Sequence, residues 1–287
     1  MKQLVVISGK GGTGKTILAA SFAALSHNPV MADCDVDAAD LHLLLQPTVI
    51  DRHQFSGGRY ASVDETLCSR CGECRVRCRF DAIGEDFVVD PVSCEGCAFC
   101  HFVCPVKAIE MRERTSGEWF VSETRFGPMV HAQLGIAEEN SGKLVSVVKR
   151  RAKEIAESQK RDWVIVDGAP GIGCPVIASL SGADCALVVT EPTLSSLHDA
   201  DRVIGVARHF NVPVKLVINK YDLNLEMAAE VEAYCKIGNI PFVGRIGFHE
   251  SVVGAAVEGK TIVEHSNGRA RLEVEAVWST LEKEQRP

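Results

Sequence analysis

The segment Gly9–Thr16, with the sequence GKGGTGKT, lies between a short apolar stretch, Leu4–Ile7, and a stretch rich in Ala and Leu, Ile17–Leu25. Strand, glycine-rich loop and helix form the context in which the pattern G-x4-G-K-[ST] binds phosphate. The glycines let backbone N–H groups face phosphate oxygens, Lys15 would reach the β and γ oxygens, and Thr16 would ligate Mg²⁺. A chance match arises in about one chain in a hundred of this length. The pattern therefore predicts a nucleotide-binding P-loop.

Apolar stretches further along the chain predict the rest of a sheet. They are Val30–Ala32, Trp163–Val166, Cys185–Val189 and Val214–Ile218, and the helix-like segments between them include Leu144–Ala156, Leu197–Phe210 and Leu225–Cys235. Continuous apolar strands that alternate with helices indicate a parallel sheet covered on both faces. We therefore expect an α/β fold, a parallel-sheet P-loop NTPase.

Two cysteine runs share the spacing C-x2-C-x2-C-x3-C and contain eight of the twelve cysteines. They are Cys68, Cys71, Cys74 and Cys78, then Cys94, Cys97, Cys100 and Cys104. One C-x2-C pair is compatible with zinc, but this full spacing, found twice, is typical of two [4Fe–4S] clusters in bacterial ferredoxins. In those ferredoxins the fourth cysteine of a run ligates the other cluster. The implied ligand sets are Cys68, Cys71, Cys74 with Cys104, and Cys94, Cys97, Cys100 with Cys78.

The cysteine-rich segment, from about Tyr60 to about Arg112, has no long helical period. We interpret residues 59–112 as a ferredoxin-like α+β module with two clusters, inserted into a P-loop domain made of residues 1–58 and 113–287.

Composition narrows the possible partners. The formal charge of −7 disfavours nucleic acid, because the release of counterions from phosphates needs a basic surface. No apolar run approaches the roughly 20 residues of a membrane span, and the N-terminus lacks the features of a signal peptide. We expect a cytoplasmic protein, where thiols stay reduced and cysteines serve as metal ligands.

Lys10 adds a family resemblance to the P-loop. The sequence KGGTGKT resembles the deviant Walker A loop of the MinD, Mrp and nitrogenase iron protein class of ATPases. The resemblance implies a homodimer in which Lys10 crosses the interface to the partner's nucleotide. It also implies that Asp35 orients the attacking water near Mg²⁺, that Asp167 holds Mg²⁺ through water, and that the Gly171 backbone senses the γ-phosphate. Lys10, Lys15 and Asp35 are the catalytic candidates.

The segment Asn219–Asp222 follows a predicted strand where the base-recognition segment of such ATPases belongs. Its sequence NKYD also fits the N-K-x-D pattern with which GTPases bind guanine, so GTP stays open. The Lys10-type loop favours ATP. The residues expected to bind nucleotide are Gly9, Gly11, Gly12, Thr13, Gly14, Lys15, Thr16, Ile17, Asp167, Gly171, Asn219 and Lys220. The residues expected to hold Mg²⁺ are Thr16, Asp35 and Asp167.

Cys174 lies seven residues beyond Asp167, in the sequence GIGCP. The nitrogenase iron protein carries a cluster cysteine at the same offset. The resemblance implies that two copies of Cys174 meet as metal ligands at a dimer axis; the alternative is a packed thiol of the switch segment.

Two functional hypotheses follow. In the first, ATP closes a homodimer and gates electron transfer from the clusters to a redox donor or acceptor, or to a metallocofactor-maturation protein. In the second, the chain is a MinD-like positioning or scaffold ATPase whose clusters sense redox state. The last predicted helix, Arg269–Lys283, lacks a basic amphipathic face, so we expect no membrane association.

Overall fold

The computed structural model describes residues 1–135 and 141–283, which form nine strands. The strands are β1 Lys2–Ser8, β2 Pro29–Cys34, β3 Thr48–Val63, β4 Ile109–Thr124, β5 Gly127–Leu134, β6 Trp163–Pro170, β7 Cys185–Thr190, β8 Val214–Asn219 and β9 Phe242–Ile246. They belong to one sheet with the order β3-β4-β5-β2-β6-β1-β7-β8-β9. Neighbouring strands are parallel from β5 through to β9. The predicted parallel sheet is confirmed.

Helices follow most of the parallel strands. They are α1 Lys15–Leu25, α2 Leu41–Leu45, α3 Glu73–Val76, α4 Phe99–Val103, α5 Ser141–Ser158, α6 Cys174–Leu180, α7 Leu194–His209, α8 Leu225–Ile237, α9 Glu250–Val257, α10 Ile262–His265 and α11 Arg269–Lys283. A 3₁₀ turn covers Tyr221–Leu223. Of the helices within residues 1–135 and 141–283, none is long and apolar enough to cross a membrane.

The chain divides into two compact units. The first, the P-loop unit, comprises Met1–His53, Trp119–Gln133 and Ser141–Pro287, of which 284–287 lie outside the described residues. The second, the cysteine unit, comprises Gln54–Glu118 and Leu134–Asn140, of which 136–140 lie outside the described residues. The sequence-based limits of the insertion, residues 59 and 112, stay a prediction.

The core of the P-loop unit explains why its central strands are apolar throughout. Every residue of β2 and β7 is buried, because helices cover both faces of the sheet. On one face, α1 and α11 pack together through Phe22 and Trp278, whose ring centroids are 5.3 Å apart, and Trp163 of β6 lies 5.0 Å from Trp278. Burying these aromatic side chains fixes α1, and with it the loop that precedes α1.

The cysteine unit has a small core of its own. Its buried members are Ala61, Cys74, Ile83 and Ile109, and the partly buried side chains packed against them include Cys78, Cys94, Cys100 and Cys104. The short helices α3 and α4 contact each other, and one isolated antiparallel bridge joins Ile83 to Val89. Cysteine sulfurs therefore supply much of the interior of this unit.

Candidate functional site

Parallel strands place the predicted nucleotide-binding residues at one edge of the sheet. The carboxyl ends of β1, β2, β6, β7 and β8 lie at the same edge. The P-loop follows β1 and Asp35 follows β2, while Asp167 lies in the second half of β6 and Asn219 is the last residue of β8. Ligand sites of open α/β sheets form outside the carboxyl ends of the strands.

The loop after β1 has the backbone of a phosphate cradle. Gly12 and Gly14 have φ angles of +78° and +94°, and Gly14 caps the N-terminus of α1. A Cβ on Gly14 would lie 2.4 Å from Nδ2 of Asn219, so both backbone conformation and space require glycine there. The loop opens onto a cavity of about 660 Å³. The cavity lining includes Lys15, Thr16 and Ile17 as well as Asp35.

Asp167 occupies the centre of this edge. It is fully buried, and among the described residues neither of its carboxylate oxygens has a hydrogen-bond partner. Burial raises the pKa of Asp167 to about 7, while the nearby Thr16 hydroxyl and Lys15 ammonium act in the opposite direction. A buried carboxylate without a partner is costly, and a bound cation removes that cost.

Two further aspartates flank Asp167 from β2. Asp33 pairs with Asp167 in the parallel register, and its carboxylate accepts 3.2 Å hydrogen bonds from the backbone N–H groups of Asp35 and Leu41. Burial and the neighbouring Asp167 raise the pKa of Asp33. Asp35 is nearly buried; burial raises its pKa and Lys15 opposes that effect. Asp33, which was not predicted as a site residue, orients the segment that carries Asp35.

Lys10 has a partner that the sequence analysis missed. Its ammonium lies 3.2 Å from Oε2 of Glu191, the residue after β7, and Oε1 of Glu191 accepts a 2.6 Å hydrogen bond from Lys220. Burial acts to raise the pKa of Glu191, but the hydrogen bonds from Lys220 and Lys10 outweigh it and lower the pKa. The one signal in the sequence was the position of Glu191 directly after an apolar strand.

The segment after β8 contacts the P-loop. Nδ2 of Asn219 donates to the carbonyl of Thr13 at 2.8 Å, and Lys220 donates to the carbonyl of Gly12 at 3.2 Å. Asp222 instead accepts a 2.7 Å hydrogen bond from the backbone N–H of Phe248, just beyond β9. Asn219 and Lys220 therefore lie against the P-loop, and Asp222 links two loops; base recognition by Asn219 and Lys220 stays a prediction.

Gly171 and Cys174 lie on the segment after β6. Gly171 has a φ of +89°, and its N–H donates to the carbonyl of Ser8 at 2.9 Å. Cys174 is the first residue of α6 and is exposed. Its side chain lies against α5, where a Cβ added to Gly142 would be 2.9 Å from the Cys174 Cβ. The metal role of Cys174 stays a prediction.

The eight patterned cysteines of the cysteine unit divide between two cavities. The first cavity is lined by Cys68, Cys71, Cys74 and Cys104, and the second, of about 520 Å³, by Cys78, Cys94, Cys97 and Cys100. Backbone N–H groups of Arg70 and Ala108 donate to the sulfurs of Cys68 and Cys104 at 3.4 and 3.2 Å. In the described part of the chain, no three His, Cys, Asp or Glu side chains are grouped to hold a single metal ion.

Comparisons with known proteins identify the family. The family model for the CobQ/CobB/MinD/ParA nucleotide binding domain matches residues 4–262, so the chain belongs to this family. An uncharacterized protein of Methanocaldococcus jannaschii is 38% identical over 227 residues, covering 77% of this chain and 79% of that protein. The septum site-determining protein MinD of Bacillus subtilis is 29% identical over 159 residues, covering 53% of this chain and 58% of that protein.

Solved structures show the same fold. MinD of Aquifex aeolicus superposes with a TM-score of 0.59 at 20% identity, covering 100% of this chain and 99% of that one. MinD of Pyrococcus horikoshii, solved with Mg-ADP, gives a TM-score of 0.62 at 17% identity, covering 98% and 96%. At these identities the likeness establishes the fold alone. The expected α/β P-loop fold of the MinD and ParA type is confirmed, and the ferredoxin-like insertion is not tested by these matches.

Proposed function

We propose that this chain binds ATP with Mg²⁺ and hydrolyses it slowly as a homodimeric switch. The observation that carries the proposal is the fully buried Asp167 carboxylate, which has no hydrogen-bond partner in the described part of the chain and lies near Thr16 and Lys15. Mg²⁺ neutralises charge on the β and γ phosphates during phosphoryl transfer. Thr16 and Asp167 are the residues that would hold it, Lys15 would bind phosphate, and Asp35 would orient water.

The cross-dimer role of Lys10 is the second part of the proposal. Lys10 is about one-third exposed at the carboxyl edge of the sheet, so a second copy has access to its ammonium. Its sequence context resembles the deviant Walker A loop, in which this lysine contacts the partner's nucleotide. Closure of the dimer and turnover would then both depend on Lys10.

Two lysine variants separate the role of Lys15 in nucleotide binding from the cross-dimer role of Lys10. Lys15→Ala is expected to abolish binding of a fluorescent ATP analogue, because Lys15 is 5% exposed and lines the phosphate cavity. Lys10→Ala is expected to keep binding but lose both nucleotide-dependent dimerisation, measured by sedimentation velocity, and ATP turnover. Wild-type dimerisation and turnover in Lys10→Ala would refute the cross-dimer role.

We also infer that the cysteine unit binds two [4Fe–4S] clusters. The support is the division of the eight cysteines between two cavities, since each cavity contains one of the two crossed ligand sets implied by the spacing. The N–H groups directed at Cys68 and Cys104 are donors of the kind that tune cluster sulfurs. Because each iron of a four-iron cluster takes one thiolate, the four sulfurs need not meet at a single ion.

Iron and sulfide analysis tests the cluster assignment. Protein purified without oxygen is expected to contain about eight iron and eight acid-labile sulfide per chain. Cys68→Ser combined with Cys94→Ser should lower both contents while nucleotide binding by the P-loop unit persists. About two zinc ions per chain without iron would contradict the assignment.

The last part of the proposal concerns the process that the ATP-dependent dimer controls. The two cysteine-lined sites favour gating of electron transfer, or metallocofactor maturation, by ATP. The named relatives favour the second candidate, a positioning or scaffold ATPase, because several of them are septum site-determining proteins. On the comparisons alone the second candidate has the better support.

A redox titration separates the two outputs. If ATP gates the clusters, a non-hydrolysable ATP analogue must shift their reduction potentials, and reduction must change nucleotide affinity by the same factor. A shift of about 30 mV in a one-electron couple equals about threefold in affinity. Equal potentials with and without the analogue would leave the positioning or scaffold function.

A further inference from the structure

Glu191 contacts two lysines, Lys10 of the P-loop and Lys220 of the segment after β8. Its two carboxylate oxygens are divided between them, Oε2 facing Lys10 at 3.2 Å and Oε1 facing Lys220 at 2.6 Å. The Glu191 side chain is only 16% exposed, whereas those of Lys10 and Lys220 are 34% and 29% exposed. The carboxylate is thus the most buried member of a three-residue ion cluster.

The backbone around Glu191 is fixed by the start of α7. The Glu191 N–H and the Thr190 hydroxyl both donate to the Ser196 hydroxyl at 3.0 Å, and Thr193 caps α7 by accepting from the Ser196 N–H. The carboxylate therefore has a defined position beside the loop. Lys10, in contrast, belongs to the glycine-rich segment, and its ammonium is at the end of a flexible side chain.

We propose that Glu191 is a positioning residue that holds Lys10 within its own chain until nucleotide phosphate on a second copy displaces it. The inference rests on the proposed cross-dimer role of Lys10. An ammonium can exchange one anionic partner for another, and phosphate is the stronger acceptor at close range because it carries more charge. Dimer closure then includes two such exchanges, one for each copy of Lys10.

Lys220 makes this exchange feasible. Breaking a buried ion pair is strongly unfavourable when it leaves a charge without compensation. Here Glu191 keeps the 2.6 Å contact with Lys220 when Lys10 leaves, so no carboxylate is left unpaired. Without Lys220, Lys10 would be the one remaining cation at Glu191 among the described contacts and would be held more tightly.

Substitutions of Glu191 and of Lys220 are therefore expected to have opposite effects on dimerisation. Glu191→Gln keeps the shape of the side chain and removes its charge, so Lys10 is released and the dimer should tighten. About fivefold per lysine, or about 25-fold per dimer, lies within the range of partly exposed ion pairs. Lys220→Met should weaken the dimer by a similar factor. If Glu191 and Lys220 only supported the fold, both Glu191→Gln and Lys220→Met would weaken the dimer.

Sedimentation velocity at saturating non-hydrolysable ATP analogue is the measurement, with Trp fluorescence as the check on folding. Glu258→Gln, which removes an exposed ion pair with Lys260, is the matched control and should leave the dimer constant unchanged. Adding Glu191→Gln to Lys10→Ala should have no effect beyond that of Lys10→Ala. Unchanged or weaker dimerisation of Glu191→Gln, with Lys10→Ala defective, would overturn the role of Glu191 and leave that of Lys10 intact. Wild-type dimerisation of Lys10→Ala would remove both.

Discussion

Replacing Asp222 by Asn separates the two nucleotide specificities that the sequence leaves open. In a guanine site, the Asp222 carboxylate would accept hydrogen bonds from N1 and N2 of the base. In this structure, Oδ1 of Asp222 accepts a 2.7 Å hydrogen bond from the backbone N–H of Phe248. We therefore expect Asp222 to connect the loops after β8 and β9, and ATP to be the ligand.

The size of the effect follows from which hydrogen bonds are lost. A hydrogen bond to a charged group contributes about 1.5–3 kcal/mol, and Asn keeps an acceptor at Oδ1 without the charge. Asp222→Asn should therefore lower the free energy of unfolding of the P-loop unit by about 1 kcal/mol and change ATP affinity by less than about threefold. If Asp222 read guanine, two charged hydrogen bonds would be lost, and GTP affinity would fall by about 100-fold or more.

Competition binding with a fluorescent ATP analogue measures the affinities of ATP, GTP and xanthosine triphosphate. Urea unfolding followed through Trp163 and Trp278, which lie in the core of the P-loop unit, measures its stability. Asp201→Asn, which alters a carboxylate bonded to the Tyr234 hydroxyl, is the matched control. Xanthine has a carbonyl where guanine has its 2-amino group, so an Asn amide can donate to it. Tighter xanthosine triphosphate binding by Asp222→Asn would therefore refute the ATP assignment.

Three further predictions concern the fold and the cysteine unit. Burial lowers the pKa of Lys149 to about 8 from 10.5. Between about pH 8 and pH 10.5 the unfolded chain therefore keeps the Lys149 proton while the folded chain loses it. Wild-type unfolding free energy should rise by up to about 3 kcal/mol over that pH range, and Lys149→Met, followed by Trp fluorescence, should lack the rise. Gly14→Ala, whose Cβ would clash with Asn219, should lower both the melting temperature and nucleotide affinity in calorimetry; a wild-type melting temperature would contradict this. Chelation should remove iron faster from the larger cavity near Cys97, of about 520 Å³, than from the smaller one near Cys71, of about 10 Å³, so Cys97→Ser should remove the fast phase and Cys71→Ser should not.

Much of the nucleotide site could be predicted because its parts are local in sequence. A P-loop is one segment between a strand and a helix, and Asp35 and Asp167 come directly after or within apolar strands. The neighbours of those residues are set by the sheet order, which the sequence does not reveal. Asp33 lies beside Asp167 only because β2 pairs with β6 in a particular register. Glu191 meets Lys10 because β7 pairs with β1.

The cysteine unit shows the converse case. Its helix signals are weak, since α3 and α4 have only four and five residues. The spacing of its cysteines nevertheless implied two crossed groups of four, and the same groups line the two cavities. A unit of this size has little apolar core, and metal ligation commonly supplies the missing stability. Spacing is informative here because ligand geometry, more than helix or strand propensity, would determine the fold.

Polar groups around the P-loop fall into two sets with different roles. Lys10, Asn219 and Lys220 have partners within the chain, so they fix the loop and the side chains beside it. The Thr13 hydroxyl and the Asp167 carboxylate are buried without partners, and among the described residues one further buried side-chain atom, on Arg151, shares that condition. Unpaired buried polar groups are costly in a folded protein and are expected to pair with something. Their concentration at the loop supports the proposed binding of phosphate and Mg²⁺ there.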